Sequence, residues 1–287
     1  MDVDDAPTRD ENVADVLRQI AEASRADAKS WAIGRRSQTL AGLLSPVALD
    51  ECEQVRLPVG FLLSVIMPVF NEVGTIEEII RKIKATGIPC EIVVVDDGST
   101  DGTRELLEKL RTSEPVLRVV LHERNRGKGA ALKTGFAAAK GDVVLIQDAD
   151  LEYDPTDYHL LLVPFLVAEA TAVYGSRYLC PSPTNSNFLQ RRGNHFITKL
   201  SNWFTRLKLT DVETCYKLFR REALQPLVAN LRESGFGIEI ELTAKLAKLP
   251  DAFIHELPIR FSPRSYAEGK KINWRDGLWA LWCVLRY

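Results

Sequence analysis

The sequence lacks the features that mark secreted and membrane-spanning proteins. Its five cysteines lie far apart and include no Cys-x-x-Cys pair, so they indicate neither a zinc site nor a disulfide framework. The amino terminus, MDVDDAPTRDE, is acidic where a secretory signal is basic and then apolar, and no window approaches 18 uninterrupted apolar residues. These absences predict a cytoplasmic protein with reduced thiols.

The sequence also lacks an excess of charge of one sign. A formal net charge of -2 over 287 residues gives no general attraction to nucleic acid, so nucleic-acid binding is not predicted. No internal repeat and no low-complexity tract is present. With 46% hydrophobic and 26% charged residues, the composition predicts one large globular domain with an extension.

Two regions differ in pattern. Residues 1–60 place Val13, Val16, Leu17 and Ile20 at helical spacing before mixed polar sequence, which predicts a helical N-terminal extension without an assigned role. In residues 61–287, β-branched runs such as LSVIMP, EIVVVDD and DVVLIQDAD alternate with amphipathic segments such as TIEEIIRKIKA. This alternation predicts an α/β fold with a mostly parallel sheet covered by helices on both faces.

The strand ends carry acidic residues. In a doubly wound sheet the ligand lies beyond the carboxyl ends of the strands, and Asp148-Ala149-Asp150 follows the apolar run VVLIQ. Two carboxylates there provide the hard oxygen ligands with which Mg²⁺ or Mn²⁺ bridges a diphosphate. An Asp-x-Asp pair alone is common, however, and two surface acids in a turn are the alternative interpretation.

Three further segments support a nucleotide site. Asp97, after EIVVVD, has a carboxylate that can accept the imino proton of uracil or guanine, although a turn with a helix cap also explains Asp101. Pro68 ends a strand and frees backbone groups, and Phe70 follows as a support for a base. The turn NRGKG precedes a helix whose amides could attract phosphate; a solvated turn is the alternative.

Together these motifs closely resemble the family-2 inverting glycosyltransferases of the GT-A fold, and among them the dolichyl-phosphate-mannose-synthase-like, polyprenyl-phosphate glycosyltransferases. The resemblance covers residues 62–287, with 61–152 corresponding to a nucleotide-sugar half and 153–287 to an acceptor half. It rests on SVIMPVFNE, EIVVVDDGSTDGT, NRGKGAALKTGF, VVLIQDADLEYDP, VYGSRY, LTDVETCYKLFR and HELPIRFSPRSYAEGKKINWRDGLWAL.

The resemblance implies a hexosyltransferase that uses a UDP- or GDP-sugar. The residues implied to line the donor pocket are Pro68, Phe70, Glu72, Val95, Asp97, Asp148, Ala149, Asp150, Arg177, Arg264 and Lys270. Asp150 and Glu152 would hold Mg²⁺ or Mn²⁺, and Asp148, Asp150, Arg264 and Lys270 would be catalytic. The relatives often have glutamine in place of Glu152, so this chain has an extra negative charge at the metal, which bears on the metal preference. They often have tyrosine in place of Phe70, so this chain lacks the contact of that tyrosine hydroxyl.

The resemblance also implies a lipid-phosphate acceptor of the polyprenyl or dolichyl type. Residues 181–209 contain no acid, and their basic residues alternate with aromatics such as Phe196 and Trp203. The C-terminal segment repeats this combination, which favours peripheral contact with the cytoplasmic face of a membrane, although core and solvent faces give similar stripes. Arg191 or Arg192 would then position the acceptor phosphate.

Two alternatives stay open. A phosphate acceptor is already ionised near neutral pH and needs no strong base, whereas a hydroxyl acceptor needs one, for which Asp211 and Glu239 are the candidates. A nucleotide-sugar-binding protein without turnover is the second alternative, and the intact set of acidic residues argues against it. The sequence makes no prediction of the oligomeric state.

Overall fold

The computed structural model describes residues 37–39, 57–167, 170–179, 188–264 and 274–287. Most of the predicted N-terminal extension therefore lies outside the described residues, as does Lys270. Within the extension, Ser37–Thr39 form a strand rather than part of a helix, because they pair in parallel with the strand Ile254–Pro258.

The described residues form a series of alternating strands and helices. The strands are β1 (Ser37–Thr39), β2 (Leu63–Val69), β3 (Cys90–Asp96), β4 (Leu117–Leu121), β5 (Val143–Ile146), β6 (Ala172–Ser176), β7 (Lys217–Arg220) and β8 (Ile254–Pro258). The α-helices are α1 (Ile76–Ala85), α2 (Thr103–Ser113), α3 (Lys128–Ala138), α4 (Tyr158–Val167), α5 (Phe188–Thr205), α6 (Arg221–Val228), α7 (Ile238–Leu246) and α8 (Trp274–Arg286).

These strands form one sheet in the order β1-β8-β6-β7-β5-β2-β3-β4. All neighbours pair in parallel except β7, which is antiparallel to both β5 and β6. The predicted α/β fold with a mostly parallel sheet is confirmed.

The core lies on both faces of this sheet. Consecutive residues of β2 and β3, which point to opposite faces, are buried alike, and this is the pattern of strands covered on both sides. On one face α3 packs closely, because a Cβ on its Gly135 would collide with Ile66 of β2. Three isoleucines of α1, Ile76, Ile79 and Ile83, are also buried completely.

The sheet brings three strand ends to one edge. Val69 of β2 is in register with Asp96 of β3, and the next residue, Asp97, donates its N–H to the Val69 carbonyl at 2.7 Å. After β5, Gln147 donates its N–H to the Ile66 carbonyl at 3.0 Å. Because β7 runs in the opposite direction, the residues that precede it reach the same edge as those that follow β2, β3 and β5.

Candidate active site

The turn Asp148-Ala149-Asp150 follows a buried glutamine whose hydrogen bonds hold it in place. The Oε1 atom of Gln147 accepts hydrogen bonds from the hydroxyls of Tyr158 at 2.6 Å and Tyr216 at 2.7 Å, and its amide nitrogen donates to the Asp148 carbonyl. Since buried polar networks are rigid when every member is paired, the two aspartates start from a fixed backbone.

Arg264 connects this turn to the end of β2. Its guanidinium lies 3.1 Å from each carboxylate oxygen of Glu72 and 3.2 Å from Oδ2 of Asp150. The backbone N–H of Arg264 donates to the Glu152 carboxylate at 2.8 Å, and the backbone N–H of Ser262 donates to the Glu152 carbonyl. Three of the predicted donor-site acids therefore converge on one arginine.

The same acids fit a divalent cation. Burial, reinforced by the neighbouring charges of Asp148 and Glu152 and opposed by that of Arg264, raises the pKa of Asp150 to about 7. In the described part of the chain no three histidine, cysteine or acidic residues are arranged to hold a metal by themselves. Asp150 and Glu152 fit an ion whose remaining ligands come from a diphosphate, as is usual for Mg²⁺.

Asp97 is a buried hub rather than an open acceptor in this structure. Its carboxylate accepts the N–H groups of Arg126 and Gly127 at 3.0 and 2.7 Å and lies 2.7 Å from Nδ1 of His122. The expectation that amides of the NRGKG turn face a phosphate is therefore wrong for residues 126 and 127, because those amides are donated to Asp97. Base recognition by Asp97 stays a prediction.

The other residues predicted to line the nucleotide pocket lie beside this edge. Pro68 and Val95 are in register on adjacent strands, but Val95 is completely buried and its side chain belongs to the core. Ala149 is buried as well, whereas Phe70 is half-buried at the point where β2 ends. Their roles in donor binding stay predictions.

Arg177, which was predicted to bind the donor, forms a buried ion pair with Asp211, a predicted acceptor residue. Nε and Nη2 of Arg177 lie 2.7 and 2.8 Å from the two Asp211 oxygens, and Asn194 donates a further hydrogen bond at 2.9 Å. Burial alone would raise the pKa of Asp211, but the Arg177 charge and these hydrogen bonds hold it below its usual value. A paired carboxylate of this kind is unsuited to act as a base.

Two exposed arginines extend this side of the site. Arg191 and Arg192 follow each other on α5, and the Arg191 guanidinium lies 5.6 Å from the centre of the Tyr178 ring. The Arg177 guanidinium lies 5.7 Å from the same ring. Arg191 and Arg177 therefore contact the same ring, and positioning of an acceptor phosphate by Arg191 or Arg192 stays a prediction.

Glu239, the other candidate base, is also paired. Its two carboxylate oxygens lie 2.7 Å from Nζ of the completely buried Lys217 and 3.3 Å from Nζ of Lys128. Lys128 in turn contacts Asp148 at 2.9 Å. In the sequence, Lys128 is recognisable only as part of the NRGKG turn, which could attract phosphate. No spacing pattern pairs it with an aspartate twenty residues further on.

Glu213 is a second residue that the sequence interpretation missed. It is half-buried between Asp211 and Cys215 in the segment leading to β7. Burial, opposed by the charge of Arg177 and reinforced by that of Asp211, raises the pKa of Glu213 to about 7. A carboxyl that titrates near neutrality is suited to proton transfer, and its place in LTDVET beside Asp211 was the available signal.

Helices α5 and α8 pack against each other and expose aromatic side chains. On α5 the exposed residues Arg192, Phe196, Lys199 and Trp203 recur at helical spacing, and on α8 the exposed residues include Leu278, Trp282 and Leu285. We call these residues the aromatic-basic face. No helix in the described ranges combines the length and apolarity that crossing a bilayer requires.

Comparison with known proteins gives the family. The sequence model of glycosyl transferase family 2 matches residues 64–228. An uncharacterized protein of Methanocaldococcus jannaschii is 32% identical over 73% of this chain and 85% of its own length. An undecaprenyl-phosphate 4-deoxy-4-formamido-L-arabinose transferase of Pseudomonas fluorescens is 30% identical over 72% of this chain, which spans 59% of that enzyme.

Solved structures show the same fold. Glucosyl-3-phosphoglycerate synthase from Mycobacterium tuberculosis in complex with phosphoglyceric acid matches with a TM-score of 0.60 at 22% identity, covering 88% of this chain and 87% of that one. The same synthase with Mn²⁺, uridine diphosphate and phosphoglyceric acid gives 0.56 at 24% identity, covering 78% and 77%. The predicted GT-A fold is confirmed, and the chain belongs to glycosyltransferase family 2.

Proposed function

We propose that this glycosyltransferase moves a sugar from a UDP- or GDP-sugar to the phosphate of a polyprenyl-type membrane lipid, with a divalent cation at Asp150 and Glu152. The observation that carries the proposal is the convergence of Glu72, Asp150 and Glu152 on Arg264. Acids that bind a cation and an arginine that binds phosphate lie here within one set of contacts.

On the donor side, Arg264 is the residue that meets the leaving diphosphate. Its Nε atom is buried and has no hydrogen-bond partner among the described residues, so the guanidinium retains a donor for a phosphate oxygen. When bound at Asp150 and Glu152, a divalent ion would neutralise the charge of the leaving diphosphate. Asp148, beside them, accepts hydrogen bonds from hydroxyls of the donor.

On the acceptor side, the name of the Pseudomonas fluorescens relative supports a lipid phosphate, since that enzyme is a transferase to undecaprenyl phosphate. An ionised phosphate attacks the anomeric carbon directly and inverts its configuration without a strong base. Arg191 supplies the positive charge that positions it, while Arg177 holds Asp211 and shapes the wall of the site.

The aromatic-basic face supports placement at the cytoplasmic face of a membrane. Trp203 and Trp282 are 74% and 53% exposed, so both rings are accessible to the apolar layer of a membrane interface. Basic residues on the same face favour anionic headgroups. We include this peripheral contact in the proposal.

A hydroxyl acceptor is the second candidate, and Glu213 favours it. Asp211 and Glu239 are both bound by cations, whereas Glu213 has a pKa near neutrality and follows Asp211 by two residues. In that reaction Glu213 would take the proton of the attacking hydroxyl. The acceptor therefore decides between the two candidates.

The test is a transfer assay with the purified full chain. Labelled UDP- and GDP-sugars are incubated with polyprenyl phosphate or the matching polyprenol, with Mn²⁺, Mg²⁺ or a chelator, and label is counted in the lipid extract. Metal-dependent label in the phosphate arm supports the proposal, and label in the alcohol arm alone overturns it in favour of a hydroxyl acceptor. Asp150→Asn should abolish transfer, whereas Glu105→Gln, an exposed acid on α2, serves as the matched control.

A further inference from the structure

Four buried or nearly buried charges of alternating sign lead away from the Asp148-Ala149-Asp150 turn. Lys128 lies 2.9 Å from Oδ1 and 3.0 Å from Oδ2 of Asp148, and 3.3 Å from Glu239. Glu239 is bound on its other oxygen by Lys217. We call Asp148, Lys128, Glu239 and Lys217 the charge row; its four formal charges sum to zero.

The turn that carries Lys128 is fixed in place by its glycines. A Cβ on Gly127 would collide with the Ser234 carbonyl, and one on Gly129 would lie 2.6 Å from the Glu233 carbonyl. Gly127 also has a φ of 93°, which disfavours any other residue. The backbone of the loop at 233–234 therefore seats this turn, and the position of Lys128 is set by both halves of the chain.

Lys128 stays charged in this setting. Burial alone would lower its pKa, but Asp148 and Glu239 raise it well above its ordinary value. Its side chain is 13% exposed, and that of Asp148 is 24% exposed. The carboxylate of Asp148 is thus neutralised on one side by Lys128 and open on the other.

Asp150 differs from Asp148 in this respect. Its contact is with the guanidinium of Arg264, which it shares with Glu72, while Glu152 is bound by the backbone N–H of the same residue, so one cation faces three carboxylates. An added cation relieves that excess of negative charge at Asp150 and Glu152, whereas Asp148 already has a full counter-charge of its own.

We infer that Lys128 is a positioning residue: it keeps Asp148 out of metal coordination and turns its carboxylate toward the hydroxyls of the donor, leaving Asp150 and Glu152 as the only protein ligands of the cation. This inference rests on the proposed function. A carboxylate held by one lysine keeps lone pairs for hydroxyl donors, which is the chemistry of a sugar or ribose site.

A lysine with a purely structural role would affect folding alone. The inference predicts a different result, because removing the Lys128 charge releases Asp148 to join Asp150 and Glu152. Lys128→Met should then bind Mn²⁺ more tightly, by about tenfold. This is the size of effect that changes around metal ligands commonly have. At the same time the KM for the donor should rise by about tenfold, with a smaller change in kcat, because Asp148 no longer faces the hydroxyls.

The experiment measures Mn²⁺ binding to the purified full chain with saturating UDP or GDP, from the loss of the electron paramagnetic resonance signal of free Mn²⁺ relative to the same nucleotide without protein. The variants are Lys128→Met, Lys128→Arg and Lys128→Met combined with Asp148→Asn. Lys133→Met is the matched control, since Lys133 lies on the same helix and, among the described residues, donates a hydrogen bond only to the Arg232 carbonyl at 3.5 Å. Lys128→Arg and the double variant should return the Mn²⁺ affinity to that of the unsubstituted chain.

Asp148→Asn alone keeps the test decisive if Lys128→Met does not fold. With Lys128 in place, this variant should leave Mn²⁺ affinity unchanged, and a loss of affinity would show that Asp148 is a ligand and overturn the inference. A folded Lys128→Met without tighter binding overturns it as well. If the unsubstituted chain binds no Mn²⁺ with either nucleotide, the metal-dependent function fails together with this role. Normal binding there with no gain in Lys128→Met removes the role alone.

Discussion

Asp148 and Asp150 lie two residues apart on one turn, yet each is bound by a different cation: Asp148 by Lys128 at 2.9 Å and Asp150 by Arg264 at 3.2 Å. Lys128 begins α3 in the first half of the chain, whereas Arg264 follows β8 in the second half. The two carboxylates are therefore controlled by separate parts of the sequence, and substitutions at the two cations should have different effects.

Replacement of Arg264 should affect turnover most. Arg264→Met removes a charged group that can donate two hydrogen bonds to a phosphate. We expect the rate of transfer to fall on the order of a hundredfold, as when one hydrogen-bond donor to the transition state is lost. Arg264→Lys keeps the charge without the planar geometry and should give an intermediate rate. Arg111→Met, which alters an exposed arginine on α2, is the control for initial-rate assays. Unchanged transfer in Arg264→Met would contradict the role of Arg264.

The ion pair between Arg177 and Asp211 should contribute to stability. Asp211 is completely buried, so Asp211→Asn leaves the Arg177 charge without its partner and should cost about 3–5 kcal/mol in the free energy of unfolding. Urea denaturation measures this, and Arg177→Met with Asp211→Leu should cost less than the sum of the single changes. Arg81→Met breaks an exposed pair and should leave the midpoint nearly unchanged. An Asp211→Asn midpoint equal to that of the unsubstituted chain would refute the prediction.

Glu213 should set how the acceptor KM depends on pH. Its pKa is raised to about 7, so the carboxyl is mostly neutral below this pH and charged above it. With a phosphate acceptor, the charged form repels the substrate, and the acceptor KM should rise as the pH increases through 7. Glu213→Gln should flatten this rise while transfer continues, whereas Glu222→Gln, an exposed acid on α6, should retain it. Complete loss of transfer in Glu213→Gln would instead indicate a base and a hydroxyl acceptor.

His255 should make the fold sensitive to acid. It is completely buried, neither ring nitrogen has a hydrogen-bond partner in the described part of the chain, and burial lowers its pKa to about 4. The unfolded chain takes up the proton first, so the stability present above pH 6.5 is lost as the pH falls toward 4, by about 3 kcal/mol.

His255→Phe tests this contribution. The phenyl ring has no proton to gain and can pack against Phe253, whose ring lies 4.5 Å from that of His255. Unfolding free energies measured in urea from pH 7 to pH 4 should therefore decrease less in this variant. His195→Gln, at an exposed histidine on α5, should follow the unsubstituted chain. Parallel pH curves for His255→Phe and the unsubstituted chain would rule out the assignment.

The aromatic-basic face should govern binding to vesicles. Trp203→Ser combined with Trp282→Ser removes two exposed rings, and we expect cosedimentation with anionic vesicles to weaken by about tenfold or more. Binding of the unsubstituted chain should decrease with added salt and on neutral vesicles. Leu121→Ser, at an exposed leucine on β4, is the control. Equal vesicle binding by the double variant would exclude this face as the contact.

The sequence was sufficient to predict the sheet and the position of the Asp148-Ala149-Asp150 turn. The reason is local: apolar runs followed directly by acids identify strands and their ends, and parallel strands bring those ends to one edge. The strand Ser37–Thr39 was not predicted, because a three-residue edge strand is determined by its pairing with β8 and leaves no periodic pattern of its own.

The partners of the buried charges could not be predicted in the same way. Arg264 and Glu72 are 192 residues apart, and any of several cations would satisfy an acid as well. The amides of the NRGKG turn illustrate the same limit, since a helix start that suits a phosphate suits the carboxylate of Asp97 equally. Which anion a turn receives is decided by tertiary packing.

The reversed strand β7 brings the two ends of the stretch between β6 and β7 side by side in the sheet. The chain leaves the sheet after Ser176 and returns at Lys217, and Lys217 pairs directly with Tyr174 of the neighbouring strand β6. The intervening stretch thus begins and ends at adjacent points, and it includes both members of the pair Arg177 and Asp211. Exchange of this stretch as one piece would therefore keep the Arg177 charge together with its partner.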